Sequence, residues 1–221
     1  DPGVSDLALA DSFFNRKDFE KAYQLYDRFA VDDPASSYAP GALYRAGLAL
    51  YRLRYYTQAV EQWTKLSKNY PSAPETELAD FQSADTYFRA QKYAESIAAY
   101  NAIIAKYPKG RQLPLAYLRV AQVSYNLKQD AQAAEQTRTV VANFPDSPEA
   151  YDALDLAEVV FDRAPGMDYR AYFQALSAAE PRTKSSGEAL FRLGRRLFEK
   201  KEYHGAIENL KTFCVEYNYH A

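Results

Sequence analysis

The sequence predicts an all-α fold of about six stacked helix-turn-helix repeats. Three observations carry that prediction: a proline stop recurring about every 37 residues, a small residue at a fixed distance before each stop, and large apolar side chains spaced three and four residues from it. A period of this length is the signature of a solenoid, in which each helix pair is too small to bury its own apolar face and stacking supplies the core.

The stops come first. Pro34, Pro71, Pro108 and Pro145 are each 37 residues apart, Pro181 follows 36 later, and Asn218 takes the next step. Proline lacks an N–H and clashes with the preceding helical turn, so it ends the second helix of each pair. The ring before it in Tyr70, Tyr107 and Phe144 can fold back onto that pair, whereas Asp33, Glu180 and Asn218 break the pattern in the first, fifth and last repeats. Ser72-Ala-Pro-Glu75 and Ser147-Pro-Glu149 offer a capping hydroxyl and early acids to the helix that follows.

The first helix of each pair is read from the residue 24 before the stop, which is always small: Ala10, Gly47, Ala84, Ala121, Ala157 and Gly194. Four residues later comes an aromatic (Phe14, Tyr51, Phe88, Tyr125, Phe161, Phe198), and three residues earlier a large apolar group (Leu7, Tyr44, Phe81, Leu118, Leu154, Phe191). That spacing is one helical face. The second helix repeats a small residue as Ala22, Ala59, Ser96, Ala133 and Ala206, with Tyr169 the exception. It then carries Tyr26, Trp63, Tyr100, Thr137, Phe173 and Leu210, followed by Phe29, Leu66, Ile103, Val140, Leu176 and Phe213. The units run about 1–35, 36–72, 73–109, 110–146, 147–182 and 183–221. Repeat 5 is irregular: Ala164-Pro-Gly-Met167 replaces its turn, and its second helix is expected to start late, over about 168–179.

Composition narrows the function classes. With 48% hydrophobic and 25% charged residues the chain has the profile of a folded protein, and a formal charge of -2 offers no general attraction to nucleic acid or anionic lipid. The longest apolar run, near 98–105, is interrupted by Tyr100 and Asn101 and falls short of the roughly 18 to 20 residues of a membrane span. The chain starts at Asp1 without Met and shows no signal peptide, which leaves open whether a targeting segment was removed. A single cysteine, Cys214, permits neither an intrachain disulfide nor a multi-cysteine zinc site, and its place after Phe213 predicts a buried thiol. Against 8 Gly stand 20 Tyr and 12 Phe, rings that helices must pack.

The small-x-x-x-aromatic of the first helix, Tyr56-Thr-Gln-Ala59, Tyr93-Ala-Glu-Ser96 and Tyr203-His-Gly-Ala206 of the second, and the terminal proline together resemble tetratricopeptide repeats over practically the whole chain. The resemblance implies a right-handed α–α superhelix whose first helices line a concave groove for a peptide or protein. The glycine usual between the helices is replaced here by Arg54, Gln91 and Lys128, and the repeat is longer than the common one. Asn143–Leu154 and Lys184–Leu210 resemble repeats of bacterial envelope proteins, namely a periplasmic Tol-Pal-associated coordinator and a lipoprotein of outer-membrane β-barrel assembly. That implies a periplasmic or outer-membrane-associated setting, with the cytoplasm as alternative.

Catalysis is not expected. His204 and His220 have no metal-binding spacing, no nucleophile motif occurs, and no metal or cofactor is implied. Candidate partner-binding residues lie along the first helices. The aromatic stripe, including Tyr51, Phe88 and Tyr125, is either packing core or groove. Polar rows that vary between repeats flank it, including Asn15, Arg52, Arg89, Asn126, Asp162 and Glu199 five residues after each small position. Arg45, Arg52 and Arg89 make a basic patch whose planar donors suit a carboxylate or acidic peptide. Leu7 and Asp11 stand where clamp-type repeats that grip chaperone tails need Lys and Asn, so that subtype is disfavoured.

Asp152, Asp155, Glu158 and Asp162 share one helical face, where stacking would set them beside Arg192 and Arg195. A salt-bridge ladder is expected there, with a basic-peptide or metal site as the alternative. The last helix keeps Ile207, Leu210, Phe213 and Tyr217 on apolar spacing, a surface for a partner or for self-association. The reading is a non-catalytic scaffold that binds a protein in its groove, with a structural spacer or oligomerisation segment as the alternative.

Overall fold

The computed structural model describes residues 2–178 and 182–217, with side chains from residue 5 onward. The predicted stops at Pro181 and Asn218, together with Glu180 and His220, lie outside the described residues. Those described form twelve helices and no strand. They fall into two compact units, residues 1–110 and 111–221.

The first unit holds α1 (Pro2–Asn15), α2 (Phe19–Asp32), α3 (Ala39–Arg52), α4 (Tyr56–Asn69), α5 (Pro74–Arg89) and α6 (Tyr93–Lys106). The second holds α7 (Leu113–Asn126), α8 (Asp130–Asn143), α9 (Pro148–Arg163), α10 (Tyr169–Ser177), α11 (Lys184–Glu199) and α12 (Tyr203–Glu216). Within each unit successive helices pack in series, and first helices of adjacent repeats also touch, as α3 with α5, α7 with α9 and α9 with α11.

The recurring small residues explain the tight hairpins. Ala10, Ala84, Ala121 and Ala157 are fully buried, and at Gly47 and Gly194 a Cβ would collide with Trp63 and Leu210 of the second helix. The larger residues of the second helix fill the space so defined: Tyr26, Trp63, Tyr100 and Phe173 are all buried at equivalent positions. Thr137, the short member of that row, is met by Tyr172, whose hydroxyl lies 2.7 Å from its own. Ser96 takes an alanine's place by donating its hydroxyl to the Ala84 carbonyl at 3.1 Å, so a buried polar group is satisfied.

Five of the hairpin turns share one geometry. Lys17, Arg54, Gln91, Lys128 and Lys201 have φ between 58° and 67°, the left-handed region that favours glycine. Each N–H bonds the carbonyl three residues back, and the next N–H bonds five back, as in Gln91 to Phe88 (3.0 Å) and Lys92 to Tyr87 (2.9 Å). This double closure satisfies two orphan carbonyls of the first helix. The missing glycines therefore change the cost of the turn and leave its shape intact.

Between repeats, Tyr70, Tyr107 and Phe144 leave the helical region (φ -121° to -134°, ψ 51° to 63°), each with its N–H still bonded four residues back. Pro74 and Pro148 open the next helices. The expected hydroxyl caps do not form. Ala73 rather than Ser72 is the N-cap of α5, and Ser147 caps α9 without a side-chain bond. The N–H groups of Thr76 and Ala150 instead bond the carbonyls of Ala73 and Ser147. Side-chain caps occur where no proline opens the helix: Asp18 for α2, Asp168 for α10, and a Thr183–Ser186 capping box for α11.

Repeat 5 departs as expected. Its turn is longer, α10 starts at Tyr169 and has 9 residues. A tyrosine in place of a small residue needs room, and here Tyr169 stacks on Phe173 at 4.3 Å and meets Phe161 edge-on at 5.5 Å. In the last hairpin the structure corrects one expectation: Cys214 is exposed, because it falls on the flank of α12 turned from α11 while Leu210 and Tyr217 fill the contact under Gly194 and Gly187. Ile207 and Val215 are exposed on the same helix.

Candidate functional site

The aromatic stripe forms a clasp across each turn. Phe14 meets Phe19, Tyr51 meets Tyr56, Phe88 meets Tyr93 and Phe198 meets Tyr203, with ring centroids 5.2 to 6.2 Å apart. The opening aromatic of the second helix and the ring five residues before it are thus one packing unit. Where α8 opens with Asp130 instead, the Arg163 guanidinium covers Tyr125 at 3.6 Å and bonds Asp130. Phe161 is buried and the other stripe rings keep an exposed edge.

The charged residues form rungs between repeats. Arg45 on α3 donates to both carboxylate oxygens of Asp11 on α1, at 2.9 and 3.0 Å, and Asp11 also accepts from the Tyr26 hydroxyl. Burial and this carboxylate push the Tyr26 phenol well above its usual pKa. In the second unit Arg192 lies 2.6 Å from Asp155 and 3.3 Å from Glu158, Arg195 lies 2.7 Å from Glu158, and Arg196 lies 2.6 Å from Asp162. Arg192 also bonds Glu188 on its own helix. Despite burial, its carboxylate partners Asp155 and Glu188 hold the guanidinium pKa above its ordinary value.

The structure therefore pairs Glu158 with Arg195 and Arg192, Asp155 with Arg192, and Asp162 with Arg196. Arg89 pairs along its helix with Asp85 at 2.8 Å. Arg52 is exposed and has no ion pair among the described residues.

Two continuous depressions in the first unit fall outside the sequence-derived residues. One, of about 630 Å³, is lined by Tyr56, Val60, Thr64, Lys65, Lys68, Tyr87 and Lys92 among others; the second, about 320 Å³, shares Val60, Thr64 and Tyr87 with it. In both, α4 forms one wall and α5 the floor; α6 walls the smaller one, and Lys92, just before α6, borders the larger. Thr64, Ser83 and Thr86 turn their hydroxyls back to carbonyls of their own helices, so much of the lining is hydrocarbon. At one end Asp80 ties the walls together, accepting from Ser67, from Lys106 at 2.9 Å and from Tyr107 at 2.6 Å. The sequence signal was a second stripe on α4, at Thr57, Val60, Thr64 and Lys68, which repeat alignment discards because it differs between units.

Antiparallel helix pairs, closed by left-handed turns and stacked through small residues, define a helical-hairpin repeat protein. The tetratricopeptide repeat model matches residues 44–111 and 81–148, and a second tetratricopeptide repeat model matches residues 5–36. The chain belongs to the tetratricopeptide repeat family. Its fold is similar to MamA from Desulfovibrio magneticus RS-1 (16% identity, TM-score 0.54, covering 100% of this chain and 98% of that one). It is also similar to a tetratricopeptide repeat protein of Parabacteroides merdae (14%, TM-score 0.61, 97% and 79%). A third similar structure is a signal-transduction ATPase with a tetratricopeptide repeat sensor from Pyrococcus horikoshii (16%, TM-score 0.64, 98% and 36%). At these identities the likeness concerns the fold alone. A search of curated proteins finds no significant match.

Proposed function

We propose that this chain is a non-catalytic scaffold that holds a protein or peptide partner along its first helices, in assembly of the bacterial cell envelope. One observation carries the reading. The row five residues after each small position, Asn15, Arg52, Arg89, Asn126, Asp162 and Glu199, is exposed in every repeat while its charge changes from unit to unit. Arg89, Asp162 and Glu199 also pair with charges of the fold, but Asn15, Arg52 and Asn126 have no side-chain hydrogen bond or ion pair among the described residues, so those positions are free to encode recognition. The envelope setting rests on the resemblance of Asn143–Leu154 and Lys184–Leu210.

A photo-crosslinking residue placed at Asn15, Arg52 or Asn126 in cells tests the proposal. Crosslinks to one other protein, lost on Arg52→Glu while the melting temperature is unchanged, support it. Arg52 is the clean site, since Arg45 and Arg89 also hold Asp11 and Asp85. Crosslinks only between copies of this chain would favour the second reading, an oligomerising spacer, to which the exposed Ile207 and Val215 of α12 give support. Recovery of the protein in the cytoplasmic fraction would remove the envelope setting.

A further inference from the structure

The groove between α4 and α6 lies apart from the exposed row of the first helices and has its own chemistry. Its long wall is the α4 stripe Thr57, Val60, Thr64 and Lys68, with Lys65 alongside, and the half-buried Tyr87 stands on the floor where the two depressions join. The α6 wall presents Ala99 and Ala102, small enough to leave the space open.

Two other spaces between second helices are bridged: Gln62 bonds Asp27 at 3.0 Å between α4 and α2, and in the second unit Thr137 meets Tyr172 between α8 and α10. Between α4 and α6 the described residues show a tie only through Asp80, at one end.

Charge selects the occupant. Lys65, Lys68 and Lys92 line the groove with Glu61 as the single acid of the larger depression, and none of the three lysines has an ion pair among the described residues. In the α8–α10 depression, by contrast, Arg138 is already spent, over the Tyr172 ring at 5.4 Å and beside Glu135 at 3.7 Å. A net positive apolar groove in a chain of net charge -2 attracts acidic segments and repels basic ones.

We propose that the α4–α5–α6 groove docks an acidic segment of a partner protein, its aliphatic side chains lying over Val60 and Tyr87 and its carboxylates meeting Lys65, Lys68 and Lys92. This deepens the scaffold reading and rests on it, and it assigns one partner contact to the second helices.

The test is selection of a displayed random-peptide library on the intact chain, followed by fluorescence anisotropy with the enriched peptides resynthesised. The expected winners are rich in Asp and Glu with interspersed Leu, Ile or Val. Their affinity should fall about tenfold or more in the Lys65→Glu/Lys68→Glu/Lys92→Glu variant and fall with added salt, since pairs at an accessible groove are screened. The three lysines are exposed, so the variant should keep its melting temperature, and circular dichroism checks this.

Winners that are basic or neutral overturn the assignment. So do winners that bind the triple variant unchanged, and winners weakened by Arg52→Glu instead, although those would leave the scaffold reading standing. Failure to enrich any peptide overturns the groove assignment alone, since the scaffold reading also admits a folded partner and is decided by the crosslinking test.

Discussion

Gly47 lies so close beneath the indole of Trp63 that a Cβ there would stand 2.2 Å from Nε1. Trp63 is fully buried and its Nε1 donates to the Tyr44 carbonyl at 3.1 Å, so the ring has no free direction in which to retreat. Gly47→Ala would gain about 1 kcal/mol of helix propensity. Overpacking against an immobile ring costs about 1–3 kcal/mol or more, and the ring prevails. We expect a net loss of about 1–2 kcal/mol in urea denaturation. Gly194→Ala should lose less, because it meets the half-buried aliphatic Leu210. Equal stability of Gly47→Ala and the parent would show that the hairpin is not held by this contact.

Gln91 adopts φ 58°, a conformation that costs a residue with a Cβ about 1 kcal/mol. Gln91→Gly removes that cost but adds freedom to the unfolded chain, which returns part of the gain. The expected outcome is a stabilisation of about 0.5 kcal/mol, read as a higher melting temperature. Gln91→Val should lower it, since a β-branched residue tolerates positive φ worse.

The two rungs should differ in weight. The Arg192 side chain is 10% exposed and bonded to three carboxylates, whereas that of Arg45 is 49% exposed. Arg45→Met should cost about 0–1 kcal/mol, as for an exposed pair. Arg192→Met removes the guanidinium that Asp155, Glu158 and Glu188 share, leaves Glu158 with Arg195 alone, and should cost about 2 kcal/mol. Chemical denaturation of both variants in parallel decides this, and equal losses would contradict it.

Tyr107 donates to Asp80, and burial followed by that hydrogen bond raises its pKa from 10.0 to about 12. The neutral phenol is the form the fold favours, so its contribution is complete below the unfolded pKa near 10.0 and is lost as pH rises toward about 12. The melting temperature should therefore fall through this window. Tyr107→Phe should be less stable at neutral pH yet show a shallower decline above it; an identical decline would assign the loss to other tyrosines.

Most of the fold was legible because it is periodic. Any residue that packing requires in one unit is required in all, and rows such as Tyr26, Trp63 and Tyr100 disclose a helix face by recurrence. The turn was less legible: Arg54, Gln91 and Lys128 look like departures from a glycine rule, although the backbone there is left-handed all the same. The serines failed as caps because competition for the Thr76 and Ala150 N–H groups is settled by a carbonyl already in place.

The candidate site was legible in part. Asp155, Glu158 and Arg195 could be placed on facing helices from spacing alone. The lysine groove could not, since Lys65 and Lys68 on α4 are joined by Lys92 at the start of α6 and the set repeats in no other unit.

The rungs have a consequence for how such a chain evolves. Asp11 meets Arg45 and Glu158 meets Arg192, each across 34 residues, while Arg195 gives Glu158 a second partner. Each acid thus addresses the arginine of the hairpin that follows it. Deleting or exchanging a unit that carries one of these partners would keep the hydrophobic seam but leave a carboxylate or a guanidinium without its counterion. The charge pattern works as a grammar of adjacency, and these hairpins, alike in their cores, are not interchangeable in order.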